Sequence, residues 1–272
     1  MALYTLNYAD WRYRVVHKSD QDRHIRSAQR VGIPKDNILS WNRKQLVHTA
    51  FYKKYKHILD IRLGAGLWLW NPFLIYKTLQ GLRAEDTLVY LDCDIPYEQS
   101  LKPLIPLCKK NNGLLHFRNK HYNIEYTKRY CFQAMHCDTP EYHQTTQICG
   151  GFAMVQKTAF SLAFYKEFLD LCCDVSLVDT ALYGVSNYPQ FIAHRHPVSV
   201  LTNLYVRKKL PAFKIPCDPD LIKIKYPEYN KTFTAYEKKQ NAKYCTGYLL
   251  GGQLGSFKSK HKLSQIKRGL KQ

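Results

Sequence analysis

Two carboxylates separated by one residue, Asp92 and Asp94, are the side chains in this sequence best suited to holding a hard divalent cation. They follow Thr87 to Leu91, a short apolar run rich in β-branched and aromatic residues that reads as a buried strand. The acids therefore stand at the carboxyl end of a strand, the edge at which open α/β sheets bind ligands. Alone, a D-x-D is also what a solvated turn would look like. Further along, Lys128 and Arg129 put two cations near the start of a helix, where an anion such as a diphosphate could be held, although exposed basic residues are otherwise simply solvated. His194 and His196 offer ring nitrogens that can ligate a metal or hydrogen-bond a phosphate, with a helix cap or a surface pair as the plainer reading. Gln147 precedes Gly150 and Gly151, whose lack of side chains leaves space in front of the backbone. Gly64 and Gly66 precede Trp68 and Trp70 in a loop whose backbone can approach a ligand closely, while the two indoles read more simply as core.

The elements that must position these groups alternate along the chain. Ala2 to Asn7 reads as a first strand running into Tyr8, and the loop after such a strand commonly meets a nucleotide; Tyr8 could stack on a base or pack on the sheet edge. Helices are expected over Asp20 to Arg30, Lys44 to Asp60, Pro72 to about Leu82, Glu98 to Asn111, Glu125 to His136, Thr158 to Cys172 and Val198 to Tyr205. Strands are expected over Asn37 to Trp41, Thr87 to Leu91, Gly113 to Phe117 and within Gln147 to Val155. Alternation of this kind predicts an α/β fold with a parallel or mixed sheet and helices on both faces. One domain is expected over 1–235, in two halves that divide at about residues 112 and 113, followed by a basic extension over 236–272.

The chain has 272 residues, 45% hydrophobic and 14% aromatic, ample for a core, and a formal charge of +20 that implies an anionic partner. No acid follows Glu237, and Leu263, Ile266 and Leu270 lie at helical spacing among the lysines of the tail, a pattern suited to an anionic membrane surface or, more plainly, to a solvated tail. The start does not resemble a signal peptide and no apolar run nears the ~20 residues that span a bilayer, so the expectation is a cytoplasmic protein peripheral to the inner face of a membrane. Nine cysteines without a C-x-x-C pair are expected to be reduced. A basic nucleic-acid-binding protein is the competing class, but the charge is concentrated at the carboxyl end instead of interleaved with aromatics, so nucleic acid is not the expected partner.

Five stretches occur in one order: G-A-G-L-W-L-W-N-P from Gly64, L-V-Y-L-D-C-D from Leu88, Y-T-K-R from Tyr126, Q-I-C-G-G-F from Gln147 and H-R-H-P-V-S-V-L from His194. Together they resemble a family of small bacterial and viral glycosyltransferases with the GT-A fold, across roughly residues 2–205. The resemblance implies a single Rossmann-like mixed sheet, a nucleotide-sugar donor, expected to be a UDP-sugar, and Mn²⁺ or Mg²⁺. The acceptor it implies is a glycan or lipid-linked molecule, and the basic charge, with a tail that could associate with a membrane, leads to the expectation of a lipid-linked or lipopolysaccharide-type one. By the resemblance, Asp92 and Asp94 are the metal- and donor-binding D-x-D motif, and Lys128 with Arg129 is the basic pair beside the donor. Gln147, Gly150 and Gly151 face the sugar and acceptor. His194 and His196 belong to a later active-site block that contributes to the metal shell, with His196 in catalysis, and Asn7, Tyr8, Arg62, Gly64, Gly66 and Trp70 line the donor site. The family usually has lysine where Asn71 stands, and aspartate then glutamine where Pro197 and Val198 stand. The missing aspartate leaves the catalytic base unassigned and keeps open a chain that binds a nucleotide sugar without transferring it.

Overall fold

The apolar runs at the amino terminus and before Asp92 pair with each other at the centre of a sheet. In the computed structural model, which describes residues 1–13, 18–98 and 100–214, the strands are β1 (Leu3–Ala9), β2 (Ile38–Asn42), β3 (Thr87–Leu91), β4 (Leu114–Leu115), β5 (Phe117–Tyr122), β6 (Thr146–Ile148), β7 (Phe152–Gln156) and β8 (Phe213–Lys214). Five form a mixed sheet in the order β2-β1-β3-β7-β4, with β2, β1 and β3 parallel and β7 antiparallel to both β3 and β4. The expected α/β mixed sheet is present. It is joined by a second, three-stranded sheet in the order β6-β5-β8, where a single sheet was expected.

Period-two alternation divides the core between the faces of the large sheet. Leu6, Tyr8, Leu88 and Tyr90 face one layer, built by α2 (Trp70–Gly81), α3 (Ala159–Cys172) and α4 (Pro197–Arg207). Leu3, Val89 and Leu91 face the other, which holds Ala28 of α1 (Lys18–Arg30) and Leu101, Leu104 and Leu107. Each helix starts where its residues allow: Thr158 caps α3 by accepting from the Ser161 N–H, and Pro72 and Pro197 sit in first turns, where a missing N–H costs nothing.

Three expected helices are shorter. Lys44 to Asp60 is divided into Arg43–Val47, Ala50–Lys54 and Lys56–Leu59, because Thr49 caps a new helix in mid-run. Glu98 to Asn111 is helical only over Lys102–Leu104 and Ile105–Lys110, since Pro103 and Pro106 admit a helix only as it begins. Glu125 to His136 is split into Asn123–Tyr126 and Arg129–Ala134 around an extended Thr127, whose hydroxyl donates to Asn123 instead of capping. The seven cysteines among the described residues are free thiols, and no helix there is long and apolar enough to cross a membrane. The extension over 236–272 lies outside the described residues.

His116, between β4 and β5, ties two helices of one layer together: its ring nitrogens hydrogen-bond the hydroxyls of Tyr165 on α3 and Tyr205 on α4. Complete burial pulls its pKa down to about 3. An unfolded chain would take up that proton near pH 6.5, so the stability held by neutral His116 is present above that pH and is lost as pH falls towards the folded value. We expect the His116 share of the loss to be about 1.4 kcal/mol per pH unit below pH 6.5. Urea titrations at pH 6.5 and 5.5 check this, and a His116→Gln variant should show a shallower dependence.

Candidate active site

The carboxyl ends of β1 and β3 are adjacent, and the chain leaves them towards opposite edges of the sheet, β1 leading to β2 and β3 towards β7. This is the crevice where α/β sheets receive ligands. Tyr8 to Asp10 forms one lip and Asp92 to Asp94 the other. Between the acids, Cys93 points inward, buried, and donates from Sγ to the Tyr8 carbonyl at 3.0 Å, which fastens the lips together and turns its neighbours outward. Asp94 is exposed, and Asp92 is half-buried with Oδ1 accepting from the Tyr90 hydroxyl at 2.6 Å. Tyr90 lies two residues earlier on the same strand face, and burial raises its pKa far above the ordinary range, so it stays a donor.

The opposite wall is Gly151, which enters β7 beside Asp92. The Asp92 N–H donates to the Gly151 carbonyl at 3.0 Å, and a Cβ at residue 151 would stand 2.7 Å from Asp92 Oδ2. Glycine there leaves the carboxylate its present place, and a side chain would displace Asp92 Oδ2. A Cβ at Gly150 would meet the Val198 side chain at 2.5 Å, so the paired glycines join β7 to the start of α4.

Gly64 to Trp68 forms a left-handed turn, with φ of 59° at Gly64, 53° at Ala65, 105° at Gly66, 51° at Leu67 and 57° at Trp68. Three of these are not glycine, and each such residue costs ~1–2 kcal/mol. The glycines here admit the protein's own groups: a Cβ at Gly64 would lie 2.1 Å from the Trp68 ring, and one at Gly66 would lie 2.6 Å from the Leu59 backbone. Trp70 Nε1 donates to the Gly64 carbonyl, and the buried Trp70 ring stacks on Tyr8 at 4.2 Å. Tyr8 thus gives a ring face to Trp70, and Trp68, 39% exposed, leans on the His196 ring at 5.0 Å. Arg62 is exposed at the head of this turn.

His196 is bound at one nitrogen: Nδ1 donates to the Val178 carbonyl at 2.7 Å. Burial lowers its pKa, so the ring is neutral, with its lone pair on Nε2. Its backbone, at φ 55° just before Pro197, is strained, as residues at functional sites often are. His194 differs. Nε2 donates to the Leu177 carbonyl at 2.8 Å and Nδ1 accepts from the Lys128 N–H at 3.2 Å, which leaves neither nitrogen open to a metal. Burial holds its pKa at about 3.

Other expected binding residues are turned inward. Asn7, on the α1 side of β1, donates to Ser40 and accepts from Gln21, and it is fully buried. Gln147 is buried too, its Nε2 within reach of the Tyr126 carbonyl, Thr127 and Ser199, where it braces the strand-to-helix corners instead of facing a sugar. The basic pair holds the loop between Asp179 and His196. The Lys128 side chain is 1% exposed, its Nζ bound to Asp179 at 2.5 Å and to the Ala181 carbonyl at 3.0 Å, with the Tyr183 ring 4.9 Å away. Burial acts to raise the Asp179 pKa, but hydrogen bonds from Lys128 and Tyr183 outweigh it and the net shift is downward. Arg129 pairs with Asp138 and stacks on Tyr188, while its N–H donates to Asn187.

The structure therefore links Tyr8, Trp70, Tyr90, Asp92 and Gly151 through successive contacts around the crevice, and brings His196 and Trp68 together as a second feature. Tyr90 and Asp179 were not anticipated; Tyr90 had a signal in its two-residue spacing from Asp92, and Asp179 had none. The donors that could hold a cation are two carboxylates, the oxygen chemistry that Mg²⁺ and Mn²⁺ take, and Gly151 gives the Asp92 carboxylate its room at the crevice. Among the described residues no three His, Cys, Asp or Glu side chains converge to hold a metal unaided, so remaining ligands would come from substrate and water.

No family model matches the chain, and no curated protein does. Among solved structures it is similar to mouse xyloside xylosyltransferase 1 in its apo form, at 12% identity and a TM-score of 0.44, over 80% of this chain and 86% of that one. It is similar also to the apo structure of the bifunctional glycosyltransferase WbbM, at 10% identity and a TM-score of 0.44, over 79% of this chain but only 39% of WbbM.

Proposed function

We propose that this chain is a metal-dependent glycosyltransferase of the GT-A type that moves a sugar from a nucleotide-sugar donor to a glycan or lipid-linked acceptor. The observation that carries the reading is the placement of Asp92 and Asp94 at the β1–β3 crevice, Asp94 exposed and Asp92 half-buried, with Gly151 making room for the Asp92 carboxylate. Asp92 and Asp94 would hold Mn²⁺ or Mg²⁺, which when bound neutralises the charge that develops on a nucleoside diphosphate leaving group. Tyr90 keeps one Asp92 oxygen engaged and so sets the direction of the other. Tyr8 and Trp70 supply a rigid apolar floor, and Trp68 offers an exposed indole face at the rim. His196, neutral and with Nε2 as its open lone pair, serves as a proton acceptor or an additional ligand; it does not serve as a cationic phosphate clamp. Lys128, Arg129, Asn7, Gln147 and His194 support the walls instead of touching the donor.

A UDP-sugar is the donor this reading favours, and the basic extension would bring the enzyme to an anionic membrane surface carrying its acceptor. A thermal-shift series with nucleoside diphosphates and their sugars, with and without Mn²⁺, tests the proposal, because binding the folded state raises its stability. At 100 times the dissociation constant the expected gain is about 2.7 kcal/mol. Absence of any metal-dependent shift across the series would reject it. A second reading, donor binding without transfer, is favoured by Pro197 in the first turn of α4 where the family carries an acid. Donor binding without hydrolysis or transfer to any glycan acceptor would decide for it.

A further inference from the structure

Arg195 stands between the two histidines, and the chemistry above does not use it. Arg43, Arg129 and Arg207 each face a carboxylate, Asp60, Asp138 and Glu167 respectively. Arg195 is half-buried, and among the described residues it has no carboxylate partner. Its guanidinium carbon instead lies over the Tyr126 ring, 4.8 Å from the ring centre. Its position is fixed from the backbone side, where its N–H donates to the Tyr126 carbonyl at 3.1 Å and to Ser199 Oγ at 3.3 Å. Two residues later the 11-residue helix α4 begins, so the positive end of a helix dipole and an unneutralised cation occupy one place. Burial pulls the Arg195 pKa down, while neighbouring Tyr126 and Cys149 act the other way. A cation placed against its own desolvation and against a helix amino terminus is stabilised most by an anion from outside the chain. Cys149, which acts on this cation, directly precedes Gly150 and Gly151, and the Gly151 carbonyl accepts from the Asp92 N–H.

We propose that Arg195, set over the Tyr126 ring at the start of α4, is a phosphate-binding residue that receives a phosphate group carried by the acceptor. The assignment of that phosphate to the acceptor rests on the glycosyltransferase reading; the anion site itself does not. A guanidinium carries its N–H donors in a planar fork that can meet two phosphate oxygens at once, which a lysine ammonium cannot.

The test follows the arginine Nε–Hε signals of the protein by nuclear magnetic resonance while inorganic phosphate, methyl phosphate and a nucleoside diphosphate with Mn²⁺ are titrated. Arg195→Gln identifies the signal. The expected result is that inorganic and methyl phosphate move the Arg195 signal in the unaltered protein and equally in the Asp92→Asn, Asp94→Asn variant, and that Arg195→Gln lowers phosphate affinity about 10–100-fold. Arg195→Lys should retain part of the binding, since it keeps the charge and loses the fork. If phosphate binding survives Arg195→Gln, or disappears with the two aspartates, the anion belongs elsewhere and the proposal is overturned. If only the nucleoside diphosphate moves the signal, the residue serves the donor and the acceptor assignment is overturned. Should Arg195→Gln not fold, an unmoved Nε–Hε set in the unaltered protein overturns the proposal equally. Phosphate binding at Arg195 in a protein that binds no nucleotide sugar would separate failure of the functional reading from failure of this one.

Discussion

Metal-dependent binding of a nucleoside diphosphate should fall by more than the roughly 10–100-fold typical of outer-shell changes when Asp92 and Asp94 are both replaced by asparagine. Asparagine keeps an acceptor for the Tyr90 hydroxyl and has nearly the same shape, so the double change removes charge from the crevice and little else. Asp94 is exposed and Asp92 half-buried, and surface changes of this kind usually alter stability by no more than about 0.5 kcal/mol. Calorimetric titration with Mn²⁺ and the diphosphate, beside a denaturant curve without ligand, separates the two effects. Affinity that survives in a folded double variant would refute the cation role.

Lys128→Met is expected to cost about 1–3 kcal/mol of stability, because it leaves the half-buried Asp179 carboxylate and the Ala181 carbonyl without their charged partner. Lys128 is 1% exposed and Asp179 retains only the Tyr183 hydroxyl and the Ala181 N–H once the ammonium is gone. The midpoint of urea unfolding reads the loss. Adding Asp179→Leu to Lys128→Met should recover much of it, because the stranded charge is then removed as well. If instead Lys128→Met unfolds no more easily and loses only donor binding, the ammonium serves a ligand and the clamp assignment fails. Arg129 shows the same logic at the surface, where its pair with Asp138 is worth less because solvent screens it.

The basic pair shows where reading residues by type reaches its limit. Two adjacent cations near a helix start suit a diphosphate on chemistry, yet 51 residues later in the chain an acid arrives to neutralise the first of them. No local pattern announces Asp179, because nothing in the composition around it differs from an ordinary turn. Gln147 and Asn7 follow the same rule: polar side chains that bind ligands and polar side chains that brace buried corners are chemically identical, and only the partners they meet distinguish them. Helix boundaries were misjudged where a local signal was outweighed by apolar spacing, at Thr49, Pro103 and Pro106.

The strand ending in Asp92 and Asp94 was decided by the chain alone. An apolar β-branched run must be buried, and acids after it must lie at its mouth, so both the α/β layering and the place of the D-x-D could be read from spacing. Tertiary structure decided which partner each polar group has: that Gly151 clears the space for Asp92 and, among the described residues, that His196 keeps a free nitrogen while His194 does not and that Arg195 meets no carboxylate. Burial and alternation repeat every two to four residues and are therefore legible locally. Pairing joins residues tens of positions apart, and its outcome depends on packing that no short stretch of sequence contains.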